Sequence, residues 1–364
     1  MTASQAKPTR VAFYAPMKSP NHATPSGDRR IARLTIQALR LAGFDPIVVS
    51  DVRTLDMQGN AEAQKTLMRD ASAECERLAR QFESSPPALW FTYHCYYKAP
   101  DLLGPELAGA FGIPYAISEP SISPSRRNGD WARFAEISEA AIAKADALFW
   151  TTARDRPALA QAGHTNKMVH LKAFVETADT AGAAPRDPHH PLRLLTVAMM
   201  RPGDKVESYR RLAAALAHLQ SNWELTVIGD GSERGRVEAF FEKLPGNTRF
   251  FGQIDSASKI EQAFRDADLF VWPGVGEGVG MVYLEAQAAG VPVVAEDHPA
   301  PSDVIANQCV TPNDPKAFAE RVEELATLDA FREASLQAQR HIAEHHSLQA
   351  AASTLSQTLR AVLQ

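Results

Sequence analysis

Between Leu269 and Ala295 the chain passes through an apolar stretch (Leu269–Trp272), a loop with glycines at 274, 276, 278 and 280, and a helix-forming run. That run extends from Met281 to Ala289 and stops at Gly290; Pro292 and Val293-Val294-Ala295 follow. A short apolar run bounded by glycine and proline reads as a buried strand. Gly290 stands where a helix ends on a left-handed residue, and Pro292 prevents its continuation. Strand, loop, helix and strand in this order commit the segment to a parallel sheet. Free N–H groups and the positive end of the helix dipole then face whatever lies beyond the strand, which makes an anion site.

Two carboxylates belong to this unit, Glu277 in the loop and Glu285 in the helix. A carboxylate beside a phosphate is repelled, whereas it accepts well from hydroxyls. Phosphate at the helix start with polyol on two glutamates reads as a nucleotide-sugar.

Glu277-Gly-Val-Gly, Leu284-Glu285-Ala and Gly290-Val-Pro-Val-Val together resemble the E-x7-E donor motif of retaining glycosyltransferases of family four. That resemblance covers nearly the whole chain, specific in the second half and loose in the first. It implies a GT-B fold: α/β, two Rossmann-like parallel-sheet domains facing across a cleft, with retention of anomeric configuration. In such an arrangement Glu285 would hold ribose hydroxyls and Glu277 the transferred sugar, while the backbone of Gly278, Val279, Gly280 and Met281 receives phosphate or sugar oxygens.

A length of 364 residues suits two domains, and 45% hydrophobic with 22% charged residues is ordinary for a globular enzyme. Three scattered cysteines (75, 95, 309) without metal-ligand spacing point to a reducing cytoplasm. No apolar run reaches the roughly 20 residues that span a bilayer, and residues 1–9 read as a polar tail rather than a signal peptide. A net charge of −5 does not suit a nucleic-acid protein. The first 185 residues nevertheless carry two more basic than acidic side chains. The clusters Arg29-Arg30-Ile-Ala-Arg33 and Arg126-Arg127 with Arg133 could meet an anionic acceptor or the inner face of a membrane, or could be a solvated helix face and a loop.

Strand candidates recur along both halves. In the first they are 11–15, 47–50, 89–93, 114–118, 147–151 and 168–171; in the second, 194–198, 224–229, 249–251, 269–272, 291–295 and 309–310. Helical patterns at 29–41, 61–82 and 131–144 separate several of them. The expected organisation is an acceptor domain over 1–178, an Ala/Pro-rich linker over 179–191 and a donor domain over 192–345. A final helix over 346–364 crosses back to the first domain, by resemblance. Ligands of open parallel sheets bind beyond the carboxyl ends of the strands.

Arg201 and Lys205 follow the first strand of the second half and resemble the family's cation pair, with Met200 in place of the usual glycine. Two cations there would stabilise a departing diphosphate directly. Gly231 in Gly-Asp-Gly resembles the loop lining the nucleotide pocket, and Gly252 falls where backbone groups touch the base. Gly27 resembles the glycine loop over the donor phosphate, one glycine where the family has two; Asp28 beside it could cap the helix. Many relatives carry His where Glu119 stands. That carboxylate could bond a sugar hydroxyl, take the acceptor's proton or pair with an arginine, and His94 is the nearest histidine to share polar contacts.

Asp266-Ala-Asp268 resembles a metal-binding D-x-D but sits at a helix-to-strand junction, and His341-Ile-Ala-Glu344-His345 has zinc-protease spacing without an Asp, Glu, His or Cys past His346 as a third ligand. No metal and no resident cofactor are expected, only a UDP- or GDP-linked sugar as co-substrate. The acceptor could be a glycan, a lipid-linked sugar or a small molecule. Two rival readings share the donor loop: a hydrolysing nucleotide-sugar epimerase, and a non-catalytic nucleotide-sugar-binding partner.

Overall fold

The computed structural model describes residues 8–24, 26–176 and 187–364. The chain divides into two compact units, one running to Lys172 and taking in Leu348–Gln364, the other comprising Ala173–Ser347. Most of the expected linker, 179–186, and Pro25 ahead of Gly27 lie outside the described residues.

The first unit alternates strand and helix. Its elements are β1 (Thr9–Tyr14), α1 (Gly27–Leu41), β2 (Phe44–Val48), α2 (Ala61–Ser84), β3 (Leu89–Tyr93) and α3 (Gly104–Phe111). There follow β4 (Tyr115–Ser118), α4 (Ala132–Lys144), β5 (Ala147–Trp150), α5 (Arg156–Gln161) and β6 (Met168–His170). The sheet order is β2-β1-β3-β4-β5-β6, parallel throughout. All five residues of β3 are buried, as expected for a strand covered on both faces. Its Phe91 ring lies 5.9 Å from Phe13 on the adjacent β1 and 6.0 Å from Phe149 on β5, one strand beyond β4. Strand β2 begins at Phe44, three residues before the expected start, because it is an edge strand and tolerates Pro46 without an N–H to donate.

In the second unit come β7 (Leu192–Val197), α6 (Asp204–Leu216), β8 (Trp223–Ile228), α7 (Arg234–Phe241), β9 (Asn247–Phe250) and α8 (Ala257–Asp266). Then follow β10 (Leu269–Val271), α9 (Met281–Ala288), β11 (Val293–Val294), α10 (Pro299–Val304), α11 (Pro315–Leu325) and α12 (Leu328–His341). The parallel sheet runs β11-β10-β7-β8-β9. The strand expected at 309–310 reduces to a single bridge from Val310 to Glu296, since two residues give too few ladder bonds to extend it. A π-helical turn, Ile342–His346, ends α12. There the chain leaves beside its own point of entry: Val175 N donates to His346 O at 2.9 Å, and His346 Nδ1 lies 2.6 Å from Ala173 O.

The last helix, α13 (Leu348–Val362), belongs to the first unit. It buries Ala351, Ala352, Leu355 and Leu359 and packs on α1. Arg360 donates to Ala42 O at 3.4 Å, with its guanidinium 5.6 Å from the Phe44 ring centre.

Candidate functional site

In each sheet the strand order reverses once, and at such a point the loops beyond the carboxyl ends part to leave a crevice. In the second unit the reversal falls between β7 and β10, which are neighbours. The loop after β7 leads to Lys205 in the first turn of α6, and the loop after β10 holds Glu277; the two meet. Lys205 Nζ donates to Glu277 Oε1, which also accepts from Trp272 Nε1 at 2.8 Å. The ammonium lies 5.6 Å from the Trp272 ring centre, and Tyr209 meets the same ring edge-on at 4.8 Å. Both bonds fall on Oε1. Arg201, before α6, is exposed.

The glycine loop is locked onto α6 from beneath. Val275 N donates to Ser208 Oγ at 3.0 Å. Gly276, at φ +66°, leaves no room for a side chain: a Cβ there would stand 2.1 Å from Asp204 Oδ2. Gly280 is the left-handed N-cap of α9, without a side-chain cap bond. Val279 and Met281 turn their side chains onto the core, and Gly278 is exposed with nothing within 4 Å of a Cβ position. What this segment offers outward is therefore backbone. Glu285 is half-buried on α9, and Ala289 N donates to its carbonyl at 3.2 Å.

Gly231 and Gly252 sit in the loops after β8 and β9 and are joined to the loop after β7. Gly229 N donates to Gly252 O at 2.8 Å, and Met200 N to Asp230 O at 2.9 Å. A Cβ on Gly229 or Gly231 would stand 1.9 Å from Ala198 O or 2.1 Å from Met200 O, so backbone meets backbone there and only glycine fits. Met200 is wholly buried.

In the first unit the reversal falls between β1 and β3, and here Asp28 of α1 meets His94, which follows β3. His94 Nδ1 lies 3.3 Å from Asp28 Oδ1, their side chains 23% and 27% exposed. Glu119 occupies the corresponding place after the neighbouring β4, and Tyr93 Oη donates to its Oε2 at 3.4 Å. Both His94 (φ +63°) and Glu119 (φ +52°) are left-handed without being glycine. Such strain persists only where surrounding structure imposes it, and it concentrates at functional sites.

Electrostatics tie these groups together. Burial pushes the Glu119 carboxyl up, and the charges of Asp28 and Asp155 add to that against the opposing pull of His94 and Tyr93. His94 is pushed down by burial but raised overall, because its bond to Asp28 and the charges of Glu119, Asp28 and Asp155 outweigh it. Asp28 ends below its ordinary value: burial acts upward, but His94, a backbone N–H and the charge of Lys18 together outweigh it.

Two readings from sequence change. Asp28 is the partner of His94 and does not cap α1; the cap is Ser26, whose side chain accepts from Arg29 N at 3.2 Å. Gly27 lies inside the first turn of α1, with nothing within 4 Å of a Cβ position. Glu119 pairs with no arginine among the described residues; its neighbours are His94 and Tyr93. Trp272 was missed as a functional residue, although an indole ending a strand directly before a glycine loop is a signal. Asp268 is fully buried and accepts from Arg193 N at 2.8 Å and His189 N at 3.1 Å, a staple at the start of β7. Among the described residues no group of three or more His, Cys, Asp or Glu side chains could hold a metal ion. Nor is any described helix long and apolar enough to cross a membrane.

Residues 191–327 match the family described as "Glycosyl transferases group 1". Among curated proteins, a phosphatidyl-myo-inositol mannosyltransferase of Mycobacterium leprae is 36% identical over 115 residues, 30% of each chain. A GDP-mannose-dependent alpha-mannosyltransferase of Mycolicibacterium smegmatis is 29% identical over 227 residues, 56% of this chain and 57% of that one. The aligned segments thus span from under a third to somewhat over half of these relatives' lengths. Among solved structures, the apo form of the lipopolysaccharide outer core galactosyltransferase WaaB superposes with a TM-score of 0.66 at 14% identity, covering 97% of this chain and 99% of that one. Two Rossmann-like parallel-sheet units of this kind make the GT-B fold.

Proposed function

We propose that this chain is a glycosyltransferase that moves a sugar from a nucleotide-diphosphate donor to an acceptor hydroxyl, without metal and with retention. The observation that carries the reading is the joining of Lys205, Glu277 and Trp272 at the reversal of the second sheet, beside the backbone-lined start of α9. Lys205 and exposed Arg201 supply positive charge for the diphosphate as its bond to the anomeric carbon breaks. Glu277, anchored through Oε1, presents Oε2 to the sugar's hydroxyls. Glu285 serves the ribose hydroxyls, and Gly231 and Gly252 border the base with backbone. Similarity to a relative named for GDP-mannose favours a nucleoside-diphosphate sugar as donor.

On the acceptor side, His94 and Glu119 supply polar contacts at the reversal of the first sheet. Burial raises the Glu119 carboxyl above its ordinary value, which suits it to bonding a hydroxyl while the proton goes to the leaving oxygen. The acceptor oxygen bonds to the anomeric carbon as the bond to the leaving phosphate oxygen breaks, and that oxygen takes the acceptor's proton.

Calorimetric titration with UDP, GDP and ADP and their sugar conjugates, with chelator present, tests the donor assignment. Binding by one nucleotide, weakened by Glu285→Ala, supports it. Binding by none sinks it. Loss of both hydrolysis and transfer in Arg201→Ala, with donor binding retained, separates an enzyme from a pure binder. NMR of the product's anomeric proton decides retention.

A further inference from the structure

Next to the carboxyl edge of the first sheet, two loops build a second feature that the donor chemistry does not use. The loop after β3 contributes Tyr97 and Lys98; the loop after β4 contributes Arg126 and Trp131. The Tyr97 and Trp131 rings meet edge-on with centres 5.9 Å apart. Arg126 Cζ lies 5.5 Å from the Tyr97 ring centre and 5.3 Å from that of Trp131. Lys98 Nζ lies 5.8 Å and 5.5 Å from the same two. Trp131 is held by Nε1 donating to Asp56 O at 3.3 Å, and it is the N-cap of α4, a 13-residue helix. That cap has no side-chain bond, and the first turn of α4 holds no acid.

The neighbouring cations are already neutralised. Arg127 is bound by Glu139 at 2.9–3.1 Å, and Arg133 pairs with Glu136 at 3.0 Å. Neither Lys98 nor Arg126 pairs with a carboxylate among the described residues, and Asp130 is the one acid within 95–100 and 120–131. Two uncompensated cations, a helix N-terminus and a rigid aromatic floor converge on one spot. Cations resting on rings keep their donors facing outward, and the helix dipole adds to their potential.

We infer that Lys98, Arg126, Tyr97 and Trp131 form a subsite for an acceptor carrying an anionic group, a phosphate or carboxylate on a sugar or polyol. The inference takes from the proposed function only that the first unit meets an acceptor. The anion lies between the lysine and the guanidinium, with the ring it is attached to beside the aromatic pair.

Tryptophan indole NMR tests this, because the chain has five indoles and two report separately: Trp131 on the subsite, Trp272 on the donor loop through Glu277. Mannose 6-phosphate and glucuronate should shift Trp131 saturably, and mannose and glucose should not. Loss of one charged hydrogen bond costs on the order of 10- to 100-fold in affinity, so Lys98→Gln and Arg126→Gln should each weaken the response by that factor. Added salt should weaken it further. Vesicles of phosphatidylinositol against phosphatidylcholine distinguish a lipid-borne phosphate from a soluble one: a Trp131 response to the anionic vesicles alone assigns the anion to a lipid head group. A Trp131 resonance unmoved by every anion, moved equally by neutral sugars, or unchanged in both variants overturns the subsite. If nucleotides still shift Trp272 in that event, the donor reading stands; if Trp131 responds and Trp272 does not, the donor reading fails alone.

Discussion

At the scale of single residues, charge pairing and backbone strain set what each candidate can do. Lys205 is the cation held against the glycine loop through Glu277, so under the proposed function Lys205→Met should lower turnover roughly 10²- to 10³-fold, as losing one donor to a developing oxyanion does. Steady-state kinetics should show the loss in kcat more than in donor affinity. Glu119 is different, because it is strained: releasing a left-handed non-glycine residue relieves about 1–2 kcal/mol. Glu119→Gly should therefore raise the melting temperature by a few degrees while abolishing transfer. A rise in stability with full activity retained sinks its catalytic role. His94 yields a pH prediction with a definite sign. Its folded-state pKa is raised, so the stability it contributes is complete below the unfolded value of about 6.5 and is lost as pH rises through the higher folded value. As pH rises above about 6.5, melting of the wild type should fall more steeply than melting of His94→Asn. That these residues follow strand ends was legible from the sequence. Their pairings were not: Asp28 and His94 are 66 positions apart, and nothing local in either segment names the other.

At the scale of elements, glycines divide into those that geometry demands and those it does not. Gly231→Ala must push Met200 O away from 2.1 Å, and with it the loop after β7 that leads to Arg201 and Lys205. Gly278→Ala meets nothing within 4 Å. The first should cost stability and donor binding together, and the second should leave the fold intact, so comparing thermal shifts and nucleotide affinities of the two checks the assignment. Element type was readable because parallel strands are short apolar runs between glycines and prolines, and β3, expected at 89–93, is found there. Boundaries shifted where the sheet overrode local chemistry, as in β2, whose edge position lets Pro46 lie inside a strand.

At the scale of the molecule, the chain leaves its first unit, builds the second and returns through α13. The four side chains α13 buries belong to the core of a unit whose other strands lie more than 170 residues earlier in sequence. Leu355 is fully buried, so Leu355→Ala should cost about 2–5 kcal/mol through the cavity it leaves. Scanning calorimetry should show that loss in the transition of the first unit, with the transition of the second unchanged. A single transition shifted as a whole would instead mean that the two units unfold together.

The sequence alone determined the α/β class, the strand–helix rhythm of both halves and the glycine loop with its two glutamates, because those properties are written in local pattern and spacing. Tertiary structure alone decided which loops share a crevice. The reversals between β1 and β3 and between β7 and β10 follow from strand order, which no local pattern encodes. They are what bring Asp28 to His94 and Lys205 to Glu277, since side chains distant along the chain acquire partners only when the sheet puts their strand ends side by side.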